Sequence, residues 1–564
     1  MKILLGNFES HVIKLLFMTS FFFLTTSCEK SKQDGDAPQD GTVLKVNVSG
    51  IDDEIKITEM SSSSKPQLSA KTSLSNKEVM STSGVVDALV SLEENSSARG
   101  LENIKLSSSN TSATSQGIKA TNSPMASTVK YRILIYDQNN NLVHNKVGTT
   151  GTDPLIDVYK GWTYKWYAFS INETAGVPNI DAYGKVAKAS LTNKDVLYAS
   201  GTITTVAGSN FLGIVFKRKT ANIQAKVNVR GMFATINDGT SVSLGDASSQ
   251  GNALMTMGDL DARTGNFSNV TTVTASVLGS AMKVDNTTEG SAVKVANFFT
   301  LNTAAIAAST LKVKFSPLKI RLDDARERTF TSLSYTVANA VTPAIGARHV
   351  ASLRLIESPV LVKGVYWART NLIYNASKLD KYRLKSMPGG TDVDTKDQDF
   401  WNFMSQTPTS PASNVDACAL LYPAGTWKMP DLPTWQSMNQ PDGREERMGL
   451  FVGADYGFYW NKTASYPTNN AYDDNRLYIS FGGYRTTSGG ISDSPAGVFL
   501  GALAAGQCHY WTSTSQNASQ GKSVQSSMSK IAWIFSWGSV TYPNANKSEG
   551  RNVRCIRAIN NPTS

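Results

Sequence analysis

The sequence predicts a mainly β protein with two β-sandwich domains in series and a third domain of different composition. Short runs of alternating apolar and polar residues recur between turn residues through positions 42–355, and no long amphipathic helical pattern interrupts them. After position 363 the composition changes, because eight of the ten tryptophans and three of the four cysteines lie there. A chain of 564 residues has room for three or four domains.

The first 27 residues have the features of a lipoprotein signal peptide. Leu15–Leu24 is an apolar stretch, shorter than the roughly 20 residues needed to span a bilayer. It leads through small residues to Cys28, although Leu24 lies one position further from Cys28 than in the usual lipobox. We therefore expect cleavage before Cys28, lipidation of its thiol and attachment to the outer membrane; the alternative is an ordinary secreted cysteine. Residues 28–41 are polar and predict a tether.

The charge pattern argues against a nucleic-acid partner. The formal net charge is +10, but the lysines and arginines are spread along the chain and form no basic block. A solvated basic surface accounts for this distribution.

The predicted first sandwich, residues 42–217, begins with an alternating strand at Thr42–Ile51. Residues 61–127 are rich in Ser, Thr, Asn and Lys and predict a largely disordered loop. Tyr131–His144 predicts a hairpin, and Gly161–Ile171 predicts an aromatic strand buried in the sandwich core.

The predicted second sandwich, residues 218–360, starts with the clearest strand of the chain. Within Ile214–Arg230, four apolar residues alternate with polar ones, and Gly231 ends the pattern. The alternation predicts one buried face and one face in water, and the two sandwiches are expected to meet near Arg218. The residues predicted to be buried are Ile223, Ala225, Val227 and Val229, and the further short strands are Val270–Val277, Ala292–Leu301, Leu311–Phe315, Leu333–Val337 and Val350–Leu355.

Three of these blocks resemble the fimbrillin family, the pilus subunits of Bacteroidales. They are Val129–His144, Gly161–Ile171 and Ile214–Gly231, and the resemblance covers roughly residues 42–355. It implies transthyretin-like sandwiches, export as a lipoprotein and cleavage by an extracellular protease in the loop after the first strand. Release of that strand would open a groove, which a donor strand from the next pilus subunit fills by β-augmentation.

In this chain the strand to be released would be Thr42–Ile51. Arg99, which is followed by Gly100, is the best basic cleavage point in the loop, and Lys119 is the second choice. An ordinary loop cation is the alternative for either position.

The third domain, residues 361–564, predicts strands and short helices. Residues 397–403 predict a short helical segment, and Leu432–Met438 predicts a helix with Asp431 or Thr434 as its N-cap. The cysteines of this domain suit an oxidising compartment with one disulfide and one spare thiol. From the residues alone, Cys418 could pair with Cys555 or with Cys508.

Three motifs of the third domain resemble, in this order, the major paralogous domain called FISUMP. The motifs are Ala424–Pro430, Tyr510–Thr514 and Gly550–Arg557. This family is related in fold to C-type lectin-like and formylglycine-generating-enzyme-like domains, so the resemblance implies an α+β C-type lectin-like domain over about residues 363–559. It also implies a disulfide between Cys418 and Cys555, with Cys508 as an additional thiol.

The sequence predicts no catalytic site, no metal site and no cofactor. The histidines that follow the signal peptide, His144, His349 and His509, are far apart and lack partners at metal-ligand spacing. Nucleophile elbow, Walker and HExxH motifs are absent. Cys508 beside His509 suggests a formylglycine-type oxidase, but a disulfide between the other two cysteines leaves no reactive pair.

Two features suggest how the third domain could bind a host or bacterial glycan or protein. Gln440-Pro441-Asp442 resembles a calcium- and sugar-binding triplet of C-type lectins, but the partner triplet is absent at Trp460–Lys462. The segments Tyr456–Asn475 and Thr541–Lys547 carry aromatic, Asn and Asp residues that suit stacking and hydrogen bonding with sugars. We expect these two loops to form the binding surface.

Taken together, the features predict a non-enzymatic tip or accessory subunit of a pilus, with an adhesive third domain. A stalk subunit must end in a free donor strand, whereas this chain ends nine residues after Cys555. The chain is therefore expected to accept a donor strand without supplying one. The alternative is a lipid-anchored, non-polymerising surface protein that keeps Thr42–Ile51 and binds glycans.

Overall fold

The computed structural model confirms that the protein is mainly β. It describes residues 41–52, 79–82, 85–95, 122–152, 154–246, 254–386, 398–448, 454–472, 474–493, 503–531 and 534–558. Within these ranges it contains 38 strands and two α-helices of four and six residues. None of the helices found there is long and apolar enough to span a membrane.

The first elements of the chain lie between residues 43 and 218. In chain order they are β1 (Val43–Asp52), β2 (Val79–Thr82), β3 (Asp87–Asn95), β4 (Lys130–Tyr136), β5 (Leu142–Thr149), β6 (Leu155–Asp157), β7 (Thr163–Ser170), β8 (Lys185–Val186), α1 (Lys188–Leu191), β9 (Leu197–Thr204) and β10 (Ser209–Arg218). Seven of them form one sheet in the order β5-β4-β7-β9-β10-β1-β6, in which β1 and β10 run parallel. We call this sheet the first region.

The sheet of the first region curls around its own apolar core. Its two edge strands approach each other: Nε2 of His144 in β5 lies 2.8 Å from the carbonyl oxygen of Asp157 in β6. Every second residue of β4 and β7 faces inward, as the pleat of a strand requires. The buried residues of this first core are Leu44, Val46, Ile51, Tyr131, Ile133, Ile135, Ile156, Val158, Tyr164, Trp166, Ala168, Leu197, Ala199, Leu212, Ile214 and Phe216.

The second region combines β2 and β3 with the strands that follow β10. These are β11 (Ala221–Gly231), β12 (Ala234–Ile236), β13 (Ser241–Gly245), β14 (Met255–Asp261), β15 (Phe267–Val273), β16 (Ser276–Leu278), β17 (Lys283–Val284), β18 (Val293–Thr300), β19 (Lys312–Phe315), β20 (Leu318–Leu322), β21 (Glu327–Phe330), β22 (Leu333–Thr336) and β23 (Arg348–Ile356). A six-stranded sheet, β17-β18-β11-β23-β3-β2, packs on the sheets β16-β13-β19-β22 and β12-β20-β21. The four residues of β11 predicted to be buried all lie in this second core.

A small sheet joins the first two regions. Strand β8 pairs with β14, which also pairs with β15. The residues of this sheet pack against the outer face of β4, β7 and β9, and they share an apolar cluster with those strands. The connection between the regions is short, because β10 ends at Arg218 and β11 begins at Ala221.

The third region contains the remaining strands and the second helix. They are β24 (Val360–Val362), β25 (Val365–Trp367), β26 (Leu372–Tyr374), β27 (Tyr382–Leu384), β28 (Trp427–Lys428), α2 (Leu432–Ser437), β29 (Gly443–Met448), β30 (Ala454–Asn461), β31 (Arg476–Ser480), β32 (Tyr484–Arg485), β33 (Ile491–Ser492), β34 (Leu503–Ser515), β35 (Gln520–Ile531), β36 (Ile534–Trp537), β37 (Asn544–Asn546) and β38 (Ile556–Arg557). The sheet β24-β25-β38-β28 brings the beginning and the end of the region together. Helix α2 is capped as predicted, because the Asp431 carboxylate accepts a hydrogen bond from the Thr434 backbone nitrogen at 2.9 Å.

The Ser-rich segment 61–127 is not simply a loop, which corrects the sequence prediction. Strands β2 and β3 lie within it, and both belong to the main sheet of the second region. The signal that was missed is the run Val85–Leu92, in which six of eight residues are apolar. The Ser-rich composition of the longer segment conceals this short run.

Two smaller predictions also need correction. Residues 398–403 form turns and a bridge between Trp401 and Arg551, not a helix. The polar face of β11 is not uniformly in water, because Asn228 is buried and donates a hydrogen bond to the Tyr422 hydroxyl at 2.8 Å. The third region covers this end of the strand, and sequence periodicity contains no information about that contact.

Candidate functional sites

Strand β1 lies inside the first sheet rather than at its edge. It runs parallel to β10 along its whole length, and its other side pairs with β6 through Val43–Lys45 and with Ser123 through Ile51. Ile51 and Ser123 exchange backbone hydrogen bonds of 2.8 and 2.9 Å. The backbone of β1 is thus paired on both sides, and its loss would leave a groove with unpaired donors and acceptors on two flanks.

The inner face of β1 is apolar. Leu44, Val46 and Ile51 are buried in the first core. A bulge between Val48 and Gly50 shifts the alternation, so that Ile51 also faces inward. Gly50 has φ +135°, and a Cβ atom there would lie 2.6 Å from the Ser123 carbonyl oxygen, so glycine is required. Full burial of each large apolar side chain contributes roughly 1.5–3 kcal/mol.

The outer face of β1 makes two weak polar contacts. Nζ of Lys45 lies 5.5 Å from the ring centre of Phe211, and Nζ of Lys217 lies 3.5 Å from Oδ2 of Asp52. The Lys217 side chain is 67% exposed, and exposed ion pairs contribute about 0–1 kcal/mol. Backbone pairing and apolar burial are therefore the main attachments of β1.

Strand β3 is attached in a different way. It runs antiparallel to β23 along its whole length and pairs with β2 on its other edge. Ala88, Val90 and Leu92 face the second core, whereas Leu89 and Met80 belong to an apolar cluster of the third region. Strand β3 is thus enclosed between the second and third regions.

At its first residue, β3 forms a buried ion pair with the last strand of the third region. Oδ2 of Asp87 accepts a hydrogen bond from Nη2 of Arg557 at 2.5 Å, and both side chains are 2% exposed. Arg557 also donates to the Glu357 carbonyl oxygen at 2.8 Å and lies 4.0 Å over the Trp427 ring. Burial raises the pKa of Asp87, and the charge of Arg557 offsets part of that rise. The pair joins three separate parts of the chain.

Both predicted cleavage positions, Arg99 and Lys119, follow β1 and β3 in the chain. Cys28, Arg99 and Lys119 lie outside the described residues. Because β3 ends at Asn95, both β1 and β3 precede Arg99 in the chain. A cut after Arg99 would leave the two strands on one fragment, bound to the first and the second region at once. Release of β1 alone needs a break between β1 and β2.

A disulfide closes the third region by joining Cys418 to Cys555, both of which are fully buried. The Asp416 carboxylate supports this site, because it accepts hydrogen bonds from the backbone nitrogens of Cys418 and Met429, each at 2.9 Å. Cys555 directly precedes β38, which lies between β25 and β28. The strand β38 is therefore an inner strand of its sheet, next to the disulfide.

Cys508 and His509 do not form a reactive pair. Burial raises the pKa of the Cys508 thiol to about 12, so the thiol stays protonated at neutral pH. Nε2 of His509 lies 3.1 Å from Oδ2 of Asp493, and Nδ1 lies 2.6 Å from Nη1 of Arg551. Arginine can act only as a donor, so Nδ1 is the acceptor and Nε2 carries the proton. Burial and the charge of Arg551 lower the pKa of His509 to about 4.

Most aromatic residues of the predicted binding loop Tyr456–Asn475 are interior, which corrects that prediction. Trp460 is fully buried in an apolar cluster of the third region. The Tyr472 ring lies between the guanidinium groups of Arg328 and Arg369, at 4.5 and 4.1 Å. Burial raises the pKa of Tyr472. Tyr472 therefore joins the second region to the third, and neither ring is available to stack on a sugar.

The lectin-like triplet has a structural role. Oε1 of Gln440 accepts a hydrogen bond from the Val540 backbone nitrogen at 3.1 Å, and Oδ2 of Asp442 accepts one from the Asn461 backbone nitrogen at 2.8 Å. Within the described parts of the chain there is no group of three or more His, Cys, Asp or Glu residues that could hold a metal ion.

The second predicted loop, Thr541–Lys547, does present polar side chains. Asn544 and Asn546 are exposed, while the Tyr542 hydroxyl donates to the Trp435 carbonyl oxygen at 3.1 Å and fixes the loop. This loop remains a candidate for ligand contact.

Comparison with known proteins adds little to these observations. No family model matches the sequence, and no match to a curated protein was found. A candidate cell adhesion protein from Bacteroides fragilis is 13% identical, with 43% of this chain and 90% of that chain covered and a TM-score of 0.29. The fimbrial anchor protein Mfa2 from Porphyromonas gingivalis is 12% identical, with 40% and 79% covered and a TM-score of 0.20. These TM-scores are too low to carry an argument about fold or function.

Proposed function

We propose that this chain is a tip or accessory subunit of a fimbrillin-type pilus and acts as an adhesin at the cell surface. It accepts a donor strand in the place of β1 and binds a glycan or a protein through the third region. The observation that carries the proposal is the attachment of β1. This strand is paired on both sides and buried on one face, whereas the Lys217 partner of its ion pair is 67% exposed. An incoming strand could restore all of its main interactions.

The attachment of β38 supports the proposed role as a subunit that accepts a donor strand. A subunit inside a fibre must give a strand to its neighbour. Strand β38 is held by pairing on both sides, by the adjacent disulfide at Cys555 and by the buried ion pair of Arg557. Withdrawal of β38 would break all three, so β38 is unsuited to be donated.

The proposal includes two processing steps. Lipidation of Cys28 would hold the precursor on the outer membrane, and proteolysis would then free β1. If the protease cuts after Arg99, the fragment should stay bound through β3 until a second cut separates β1 from β2. The segment 53–78 offers lysines for that cut, namely Lys56, Lys65, Lys71 and Lys77.

A second candidate function is a lipid-anchored surface protein that does not polymerise. The buried pair of Asp87 and Arg557 favours it, because this pair holds the N-terminal part of the chain in place. In that case β1 would stay in its sheet, and the first two regions would act as a spacer for a glycan-binding third region.

Immunogold electron microscopy distinguishes the two functions. Intact cells would be labelled with an antibody against residues 363–564, with cells that lack the gene as the control. Label at fibre ends is expected for a tip subunit. Even label over the cell surface would contradict the proposal, and N-terminal sequencing of the surface form would then show Thr42–Ile51 still attached.

A further inference from the structure

A cleft lies between the first and second regions, next to the end of β1. Its volume is about 510 Å³, within the range of typical ligand sites. Its floor is the outer face of β9 and β10, and its opposite wall comes from the second region. The residues that line it include Tyr198, Lys217, Arg218 and Lys219.

The cleft is positively charged. Lys217, Arg218 and Lys219 are consecutive and all line it. Arg218 is neutralised by Asp195, at 3.3 Å. Lys219 lies 5.8 Å over the Tyr198 ring, and no carboxylate partner is found for it in the described parts of the chain. Around these cations the walls are apolar, so the cleft favours a segment that carries both carboxylates and apolar side chains.

The pairing of β1 connects this cleft to the exchanged strand. Asp52 lies opposite Lys217 in the parallel register of β1 and β10, and Lys217 lies opposite Tyr198 of β9. The three residues are therefore neighbours across three strands at the mouth of the cleft. Because β1 and β10 are parallel and Asp52 lies opposite Lys217, a donor strand that continued this register would bring its next residues opposite Arg218 and Lys219.

The residues that follow Asp52 in the sequence indicate which kind of segment the cleft favours. Asp52 is followed by Asp53, Glu54 and Ile55, which lie outside the described residues. Three acidic residues and one apolar residue thus follow the buried part of β1, whereas β10 ends in Lys217 and Arg218 and is followed by Lys219. When acidic residues at the end of one strand lie beside basic residues at the end of its parallel neighbour, one pairing register of the two strands is favoured.

We propose that the junction cleft binds the residues that directly follow the donor strand of the neighbouring subunit, and that it selects an acidic segment. The inference rests on the proposed function, because it assumes that β1 is exchanged. The partner is a strand with the apolar pattern of β1, followed by a carboxylate at the position of Asp52 and by further acidic residues.

The test uses the full chain with a site-specific protease sequence inserted into segment 56–78 and cut after folding. The probes are two fluorescent peptides with the sequence of residues 42–55. One is unchanged, and the other has Asp52→Asn, Asp53→Asn and Glu54→Gln. Fluorescence anisotropy measures their binding. The acidic peptide is expected to bind about tenfold more tightly at low salt, and the difference is expected to vanish at high salt.

Variants of the cleft give the decisive comparison. Lys219→Glu is expected to remove most of the preference for the acidic peptide, and Lys219→Gln is expected to remove part of it. Lys283→Glu, an exposed charge reversal on β17, is the matched control and should leave the preference unchanged. Circular dichroism checks that all variants fold.

The possible outcomes separate the inference from the proposed function. Equal binding of the two peptides to the unaltered cleft would overturn the inference while leaving strand exchange intact. If neither peptide binds to the cut protein, strand exchange itself is overturned, and the inference with it. A preference that persists in Lys219→Glu would also contradict the cleft as its origin.

Discussion

Strands β1 and β3 come from the same N-terminal part of the chain, yet they are attached by different physical means. Strand β1 contributes Leu44, Val46 and Ile51 to a core, and its Asp52 forms an ion pair with Lys217, whose side chain is 67% exposed. Strand β3 is enclosed on both faces and begins with a fully buried ion pair between Asp87 and Arg557. A strand of similar pattern could replace β1, whereas replacement of β3 would need a carboxylate in one particular place.

This difference has a consequence for the third region. The pair of Asp87 and Arg557 joins β3 of the second region to β38 of the third. A second contact between these regions is made by Tyr472, whose ring lies against Arg328 and Arg369. A region attached in this way transmits force instead of swinging on a linker. Under the proposed function, strand exchange would occur at β1 in the first region, while ligand binding occurs in the third region.

The largest expected effect comes from breaking the buried pair. Asp87→Ala leaves the Arg557 charge buried without its partner, and we expect the free energy of unfolding to fall by about 3–5 kcal/mol. Urea denaturation followed by tryptophan fluorescence measures this change, because Trp427 lies against Arg557. Hydrogen exchange should show loss of protection in β3 and β38 together.

A double variant is the control for this first prediction. In Asp87→Leu with Arg557→Met, no charge is left unpaired, and a large part of the lost stability should return. If the double variant is no more stable than Asp87→Ala, the ion pair is not the main attachment of β3. The comparison with β1 would then lose its basis.

The buried pair also marks the limit of prediction from the sequence. Alternation of period two predicted β1 and the buried residues of β11. An apolar run followed by a turn at Gln138–Asn141 predicted the hairpin β4–β5, and each of these patterns is local. Strand β3 was missed because its apolar run is short and lies in a Ser-rich segment. Even a correct strand prediction would not have named β23 as its neighbour, since sheet order depends on contacts between distant parts of the chain.

The candidate sites were predictable to different degrees. The resemblance of the third region to a known domain family implied the disulfide of Cys418 and Cys555, and the structure contains that disulfide. The binding loops were chosen for their aromatic residues, but Tyr472 and Trp460 are interior. Aromatic side chains are typical both of sugar sites and of cores, and composition alone cannot separate the two.

The next largest effect tests the apolar attachment of β1. Leu44→Ala removes a fully buried side chain from the first core and should lower the free energy of unfolding by about 3 kcal/mol. It should also speed replacement of β1 by a peptide of residues 42–52, once a cut between β1 and β2 has freed that strand. Leu92→Ala in β3 is the matched control. It should cost a similar amount of stability without changing the exchange rate; equal acceleration by both variants would contradict the distinction between the strands.

As the pH falls, we expect the third region to lose stability at a higher pH than the sheet that contains β1. The pKa of His509 in the folded protein is about 4, below its ordinary value of 6.5, so the folded state binds fewer protons between these values. Its contribution to stability is therefore complete above pH 6.5 and is lost as the pH falls towards 4, by roughly 2–3 kcal/mol. Hydrogen exchange at pH 4.5 and pH 7 should show loss of protection near β34 and β38, with β1 little changed. In His509→Gln this pH dependence should be much weaker, and an unchanged profile would exclude His509 as its cause.

The smallest effect is expected at the exposed end of β1. Asp52→Asn removes the contact with Lys217, which is 67% exposed, so the free energy of unfolding should change by less than about 1 kcal/mol. The change should shrink further at high salt, because exposed charges are screened. Urea midpoints at two salt concentrations measure it, with Glu173→Gln as the control, because Glu173 is 41% exposed and pairs with a lysine that is also partly exposed. A loss as large as that of Asp87→Ala would mean that β1 is also held by charge, and then it could not be exchanged more easily than β3.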